Sequence, residues 1–258
     1  MAAIDVGDPL PGLAVRVENP PGTPVNVGAM AVTVTLPDGS STALTATNPT
    51  TGSYVLSAPY FATTGGLHRV RWVASGANAC VKEQYRSVGD PVDIDEVRAE
   101  LRITGNASDD LLYRHIAAAT DRVESWTGRS LRAQTLTVVR DGGKYAVSLP
   151  RTPVASVVAV SVNGTAVAAD TWTLVARTGI LHRGSIGSGS YWPAGQVQVT
   201  YTTAPAVADR YRQAVIEYVR YLLAGQRGST GQPSAGASPE EALARSRQLA
   251  GPGGGGFI

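Results

Sequence analysis

The sequence predicts a mainly β chain with added α. A β-sandwich is expected over residues 1–88 and an α+β domain over 89–224, with a two-helix start, β-hairpins and a long C-terminal helix. A flexible arm is expected over 225–258. Three observations predict this. Apolar residues in the first third recur at every second position. Two later regions carry apolar residues at helical spacing, with hairpin signals between them. The 29 Gly and 16 Pro fall in turns between strands and again in the tail.

In the first region, Leu13, Val15 and Val17, then Val32, Val34 and Leu36, then Val70, Trp72 and Ala74 alternate with polar neighbours. Such spacing puts one face of each strand on a core. Asn19-Pro20-Pro21-Gly22, Pro37-Asp38-Gly39, Asn48-Pro49-Thr50-Thr51-Gly52 and Gly65-Gly66 separate them as turns. Short strands at this interval suggest a small sandwich of immunoglobulin-like type. Thr51-Gly52-Ser53-Tyr54 and Gly66-Leu67-His68-Arg69-Val70-Arg71-Trp72 resemble the late strands of bacterial and phage immunoglobulin-like modules.

The periodicity changes at Ser87-Val88-Gly89-Asp90-Pro91. Asp93 and Glu96 form a D-x-x-E capping box, predicting a helix over about 94–103 with Ile94, Val97 and Leu101 on one face and Gly105-Asn106 at its end. A second helix is predicted from Ser108-Asp109-Asp110, whose acids suit the positive end of the dipole. It carries Leu111, Leu112, Ile116, Ala119, Val123 and Trp126, with Gly128 as its left-handed cap. Strands follow at Leu136–Val139, Val154–Val162, Trp172–Val175, Ile180–His182 and Val197–Tyr201. Asn163-Gly164 gives the strongest hairpin signal. Val207, Tyr211, Val215, Tyr218, Val219, Leu222 and Leu223 predict a helix ending at Gly225.

The tail is rich in Gly, Ser, Pro and Ala and is expected to remain largely unordered. Its one island is Ser238-Pro239-Glu240-Glu241, an S-x-x-E box with Pro at the first helical position, predicting a short helix over about 239–250. Four glycines, Gly253 to Gly256, then lead to Phe257 and Ile258.

Composition excludes several functions. Charge is balanced in every zone, with five basic against five acidic residues in 1–88, fourteen against thirteen in 89–224 and three against two in the tail. A dedicated nucleic-acid binder would be strongly basic. The single cysteine, Cys80, permits no intrachain disulfide and no multi-cysteine zinc site, and its neighbours suggest a buried or incidental thiol. The start lacks the features of a signal peptide, and no apolar run reaches membrane-spanning length, so the chain is expected to begin in a cytoplasm without membrane contact.

No residues converge on chemistry. His115 is expected to be packed, and His68 and His182 to sit on strand surfaces. Asp93/Asp95, Asp109/Asp110 and Glu240/Glu241 each fall at a helix start, where acids serve caps and the dipole. Gly184-Ser185-Ile186-Gly187-Ser188-Gly189 has glycines enough for a phosphate loop, but Ser190-Tyr191-Trp192-Pro193 leads into a strand rather than a helix. A hairpin loop is the better reading, so catalytic residues, metal ligands and cofactors are all expected to be none.

The ordered set from Pro91 to Leu223 carries a family resemblance. It comprises Val92-Asp93-Ile94-Asp95-Glu96-Val97-Arg98-Ala99-Glu100-Leu101-Arg102-Ile103, then Asp109-Asp110-Leu111-Leu112 through Ile116-Ala117-Ala118-Ala119 to Thr127-Gly128-Arg129. Leu149-Pro150-Arg151-Thr152-Pro153-Val154 and Val160-Ser161-Val162-Asn163-Gly164 follow, and then Val199-Thr200-Tyr201, Pro205 and Ala214-Val215-Ile216. This order resembles the head-to-tail connector (adaptor, or head completion) proteins of long-tailed bacteriophages, over about half the chain. The resemblance implies a structural virion protein with host cytoplasm as its place of assembly. It implies a ring of twelve copies under the portal protein, receiving a tail-side connector or stopper and leaving a channel through which double-stranded DNA passes unread. Residues 1–88 are then an N-terminal addition.

Two candidate surfaces follow. The arm is expected to dock on the portal through Glu240, Leu243, Leu249, Phe257 and Ile258, its helix ordering as it binds. The loop Gly184, Ser185, Ile186, Gly187, Ser188 and Gly189 is expected to reach a neighbouring subunit or the channel. The alternative function is a glycan- or protein-binding module displayed by the immunoglobulin-like domain.

Overall fold

The computed structural model describes residues 4–205, 208–227 and 239–251. Among these, fourteen strands and four α-helices give a mixed α and β fold. The chain divides into two compact units, one of residues 1–119 with 219–239, the other of 120–218 with 240–258.

In the first unit the strands are β1 (Ala14–Arg16), β2 (Ala29–Thr35), β3 (Ser41–Leu44), β4 (Ala46–Thr50), β5 (Ser53–Leu56), β6 (Gly66–Ser75) and β7 (Cys80–Val88). They form two antiparallel sheets, ordered β1-β5-β4 and β3-β2-β6-β7. Their alternating apolar residues close one core. Val15 and Tyr54 come from the first sheet and Val32, Val34, Val70, Trp72 and Val88 from the second. Gln84 joins the sheets, accepting from Trp72 Nε1 at 3.0 Å and donating to Gly12 and Ala14 carbonyls at 3.2 and 3.0 Å. His68 is fully buried and not on a surface, because it shares its strand face with Val70 and Trp72.

Gly52 shows how tightly a turn is set. Its φ is +74°, and a Cβ there would lie 2.7 Å from Val17 O and 2.8 Å from Pro24 Cβ. Gly52→Ala combines a left-handed alanine with a backbone clash, so it should cost about 2 kcal/mol. The denaturant midpoint measures it, and an unshifted midpoint would show that this turn relaxes freely.

Helix α1 (Ile94–Leu101) starts where the capping box places it, with Asp93 Oδ1 accepting from Glu96 N at 2.7 Å. It ends earlier than expected. Arg102 takes the left-handed position at φ 54°, and Ile103 N–H closes on Arg98 O at 2.9 Å, so the end is capped before Gly105. Helix α2 (Asp109–Thr127) ends at Gly128, whose φ is +64° and whose N–H reaches Glu124 O at 2.9 Å. Helix α3 (Asp209–Arg227) runs past Gly225, which does not adopt a left-handed conformation and so does not stop it. Helix α4 (Pro239–Ala250) matches the expected short helix.

The second unit holds β8 (Thr135–Asp141), β9 (Ala146–Ser148), β10 (Val154–Val162), β11 (Thr165–Ala166), β12 (Trp172–Val175), β13 (Ile180–Arg183) and β14 (Gln196–Thr203). One sheet is ordered β11-β10-β14-β8 and the other β12-β13-β9. Val160, Val162, Val197, Val199 and Tyr201 of the first pack with Val147, Leu181 and Trp192 on the side of the second. Asn163 and Gly164, at φ 50° and 81°, make the tight turn that their sequence signals.

Candidate assembly surfaces

The Gly184–Gly189 loop leaves β13 and returns to β14. Gly184, Gly187 and Gly189 all have positive φ, which lets it fold back on itself. It is nonetheless tied down. Gly187 N–H donates to Tyr145 Oη at 2.5 Å, and the Tyr145 ring packs edge-on against His182 at 5.0 Å and stands 6.5 Å from Tyr191. Trp192 then anchors the return, buried and donating to Leu181 O at 3.2 Å. The result is a braced loop presenting Ile186 and Tyr191, 61% and 67% exposed. The sequence placed the loop but not its brace, since Tyr145 lies some forty residues away.

Helix α4 is already seated on its own unit. Ser246 is buried and donates to Ala214 O at 2.8 Å, Ala250 is buried, and the Arg247 guanidinium lies 5.4 Å from the Trp126 ring centroid. Trp126 also meets Tyr218 edge-on at 5.4 Å and Arg122 at 5.3 Å. The sequence expects this helix to order on docking; in the structure Ser246 has an acceptor within the chain. Of the proposed docking residues, Leu249 is half-buried, while the Glu240 and Leu243 side chains and all of Phe257 and Ile258 lie outside the described residues.

The ends of α2 are held by buried charge. Asp110 does more than complement the dipole, accepting from Tyr85 N at 2.9 Å and from Arg86 Nη1 at 3.0 Å. Asp109 and Asp95 both bind Arg98. Near the other end, Glu124 accepts from the N–H groups of Leu131 and Arg132 at 2.6 and 3.2 Å. Burial pushes its carboxyl above the usual range, against the pull of Arg132 and these N–H groups. Arg132 pairs with Asp121, and Arg151 donates to the Glu124 carbonyl.

His68 contacts Gly66 O at 3.2 Å, and burial holds its pKa below the usual value. Among the described residues no three His, Cys, Asp or Glu gather as a metal site, and no helix is long and apolar enough to cross a membrane. An open groove of about 340 Å³ on the first unit is lined by Pro9, Leu10, Leu13, Val55, Leu56 and Tyr60, all without charge.

Residues 92–238 match the family model described as head completion protein. No curated protein matches the chain. Among solved structures, a chain in the neck of an empty GTA particle, computed with C6 symmetry, is 22% identical with a TM-score of 0.46, covering 62% of this chain and 90% of that one. A chain in the neck of the native GTA particle, computed with C12 symmetry, is 22% identical at 0.42, covering 59% and 86%. A chain in the virion of the native gene transfer agent particle is 23% identical at 0.45, covering 62% and 90%.

Proposed function

We propose, from the premise that this chain belongs to the head completion protein family, that it is a non-enzymatic virion protein forming a ring-shaped head-to-tail adaptor. The observation that carries this reading is the family match over residues 92–238, more than half of the chain. The ring has twelve copies, sits on the portal protein, receives a tail-side connector or stopper, and leaves a channel for double-stranded DNA. Its near-balanced charge, +2 overall, suits passage, because each phosphate gripped would add salt-dependent affinity that resists sliding.

In this reading residues 1–88 are an immunoglobulin-like sandwich, 89–224 the connector domain and 225–258 the arm. Two antiparallel sheets around one core support the sandwich. With α4 bonded to its own unit through Ser246, this reading puts the portal anchor at Phe257 and Ile258 beyond it. The apolar groove on the first unit favours, as a second reading, a protein-binding role for the sandwich over a glycan-binding one, since its lining offers only the Ser57 and Tyr60 hydroxyls as polar side-chain groups.

Negative-stain microscopy of the protein mixed with its portal tests the main reading, with twelvefold rings expected; persistent monomers that bind glycan would overturn it. A chain ending at Gly251 keeps α4 and should bind portal at least tenfold more weakly. Unchanged binding would remove the anchor while leaving the ring.

A further inference from the structure

The outward face of the β11-β10-β14-β8 sheet differs from that of the β3-β2-β6-β7 sheet in the first unit. The latter carries Arg69 and Arg71 about Glu83, at 4.0 and 3.9 Å, as a solvated face does. On the former, the inward residues Val138 and Val199 pair across β8 and β14, and their outward neighbours are Thr137, Val139, Gln198 and Thr200. None is charged. Thr137 and Thr200 share a hydroxyl hydrogen bond at 2.9 Å, and Ser156 and Thr202 another at 2.7 Å. Because these hydroxyls satisfy one another, covering the face strands few polar groups. Val139 is 49% exposed on it, and Val158, at the bulge of β10, is 62% exposed.

The braced loop is the second half of the argument. Residues 184–193 contain no charge, and Ile186 and Tyr191 project from them. The Tyr145 tether holds the loop beside β13, in the sheet whose core contacts lie on the other side of this hydroxyl-rich face. A projection and a receiving face on opposite layers of one unit suit a head-to-tail contact, the kind that generates a ring when its rotation closes. The loop has no ion to desolvate, the face carries only Asp141 at the end of β8, and the brace removes much of the ordering cost.

We propose that the Ile186/Tyr191 loop of one copy seats on the Val139/Thr200 sheet face of the next copy, and that this contact builds the ring. The inference rests on the adaptor reading and names the interface within it.

The test uses the full chain with Cys80→Ser, so that introduced thiols are alone. Val139→Cys with Ile186→Cys should give, on oxidation, a ladder of covalent oligomers. Each single cysteine should give nothing beyond weak dimers. Separately, Thr200→Lys and Ile186→Lys should each raise the concentration needed for assembly, by sedimentation, at least tenfold without changing the melting temperature. Mixing these two variants should give capped dimers instead of rings, since each keeps one intact half of the contact. Normal assembly by both lysine variants, or strong dimers from single cysteines, would overturn the interface while wild-type rings keep the adaptor reading. Wild type that forms no ring even with portal overturns both.

Discussion

Replacing Arg86 by alanine should lower the unfolding free energy by about 3 kcal/mol, the cost of removing a charged donor from a buried network. Its side chain is 9% exposed. Nε donates to Pro11 O at 2.8 Å, Nη1 to Tyr85 O at 2.6 Å and to Asp110 Oδ1 at 3.0 Å, and Nη2 to Gly12 O at 3.1 Å. The guanidinium also lies 5.2 Å from the Tyr113 ring centroid. Alanine leaves three carbonyls without this donor and takes a cation from Asp110. Arg86→Lys should recover little, because an ammonium cannot reproduce the planar fork. Among the tryptophans only Trp72 lies in the first unit, so its quenching in a denaturant series reads the effect there. A loss below about 1 kcal/mol would show that water replaces these bonds at little cost.

The residues behind that prediction explain what a sequence can and cannot reveal. Local signals read well. Asp93 caps α1, Gly128 ends α2 in the left-handed region, and Asn163-Gly164 turns the hairpin, because in each case the partners are a few positions away. Trp172–Val175 reads as a strand from its own alternation. Arg86 carries no such signal, since its partners at Pro11 and Gly12 are backbone carbonyls more than seventy positions earlier. His68 was readable by parity with Val70 and Trp72, yet its polarity argued for the surface. The end of α1 was obscured because Arg102 fills a position that glycine usually takes. In the assembly surfaces, the Gly/Ser loop and its lone Ile186 were visible as a flexible hairpin. The Tyr145 brace was not, and neither was the hydroxyl-rich sheet face, which depends on the register of β8 and β10 with β14.

Glu124 gives the other large effect, and one with a pH signature. Glu124→Ala should cost about 3 kcal/mol, because the buried N–H groups of Leu131 and Arg132 lose their acceptor and buried Arg132 loses a counter-charge. Glu124→Gln keeps an acceptor oxygen and should cost about 1 kcal/mol at neutral pH. The two substitutions also separate hydrogen bonding from ionisation. Burial raises the native carboxyl's pKa above its unfolded value, so between those two values the folded chain binds more protons than the unfolded one. Stability from this group is therefore full below the ordinary glutamate range and is lost as pH rises through the raised native value. Glutamine has no proton to bind. The advantage of wild type over Glu124→Gln should accordingly widen as pH falls from 7 to 4, measured by denaturant unfolding at each pH. An advantage that shrinks on acidification would mean that Arg132 and the two N–H groups outweigh burial, with the carboxylate as the favoured form. The direction matters for the adaptor reading, since the irregular segment after α2 leads directly into β8, the edge that carries Val139. A Glu124 variant that unseats residues 131–132 should then weaken assembly as well as stability, whereas Arg86→Ala, confined to the first unit, should weaken stability with assembly intact at temperatures where the variant stays folded.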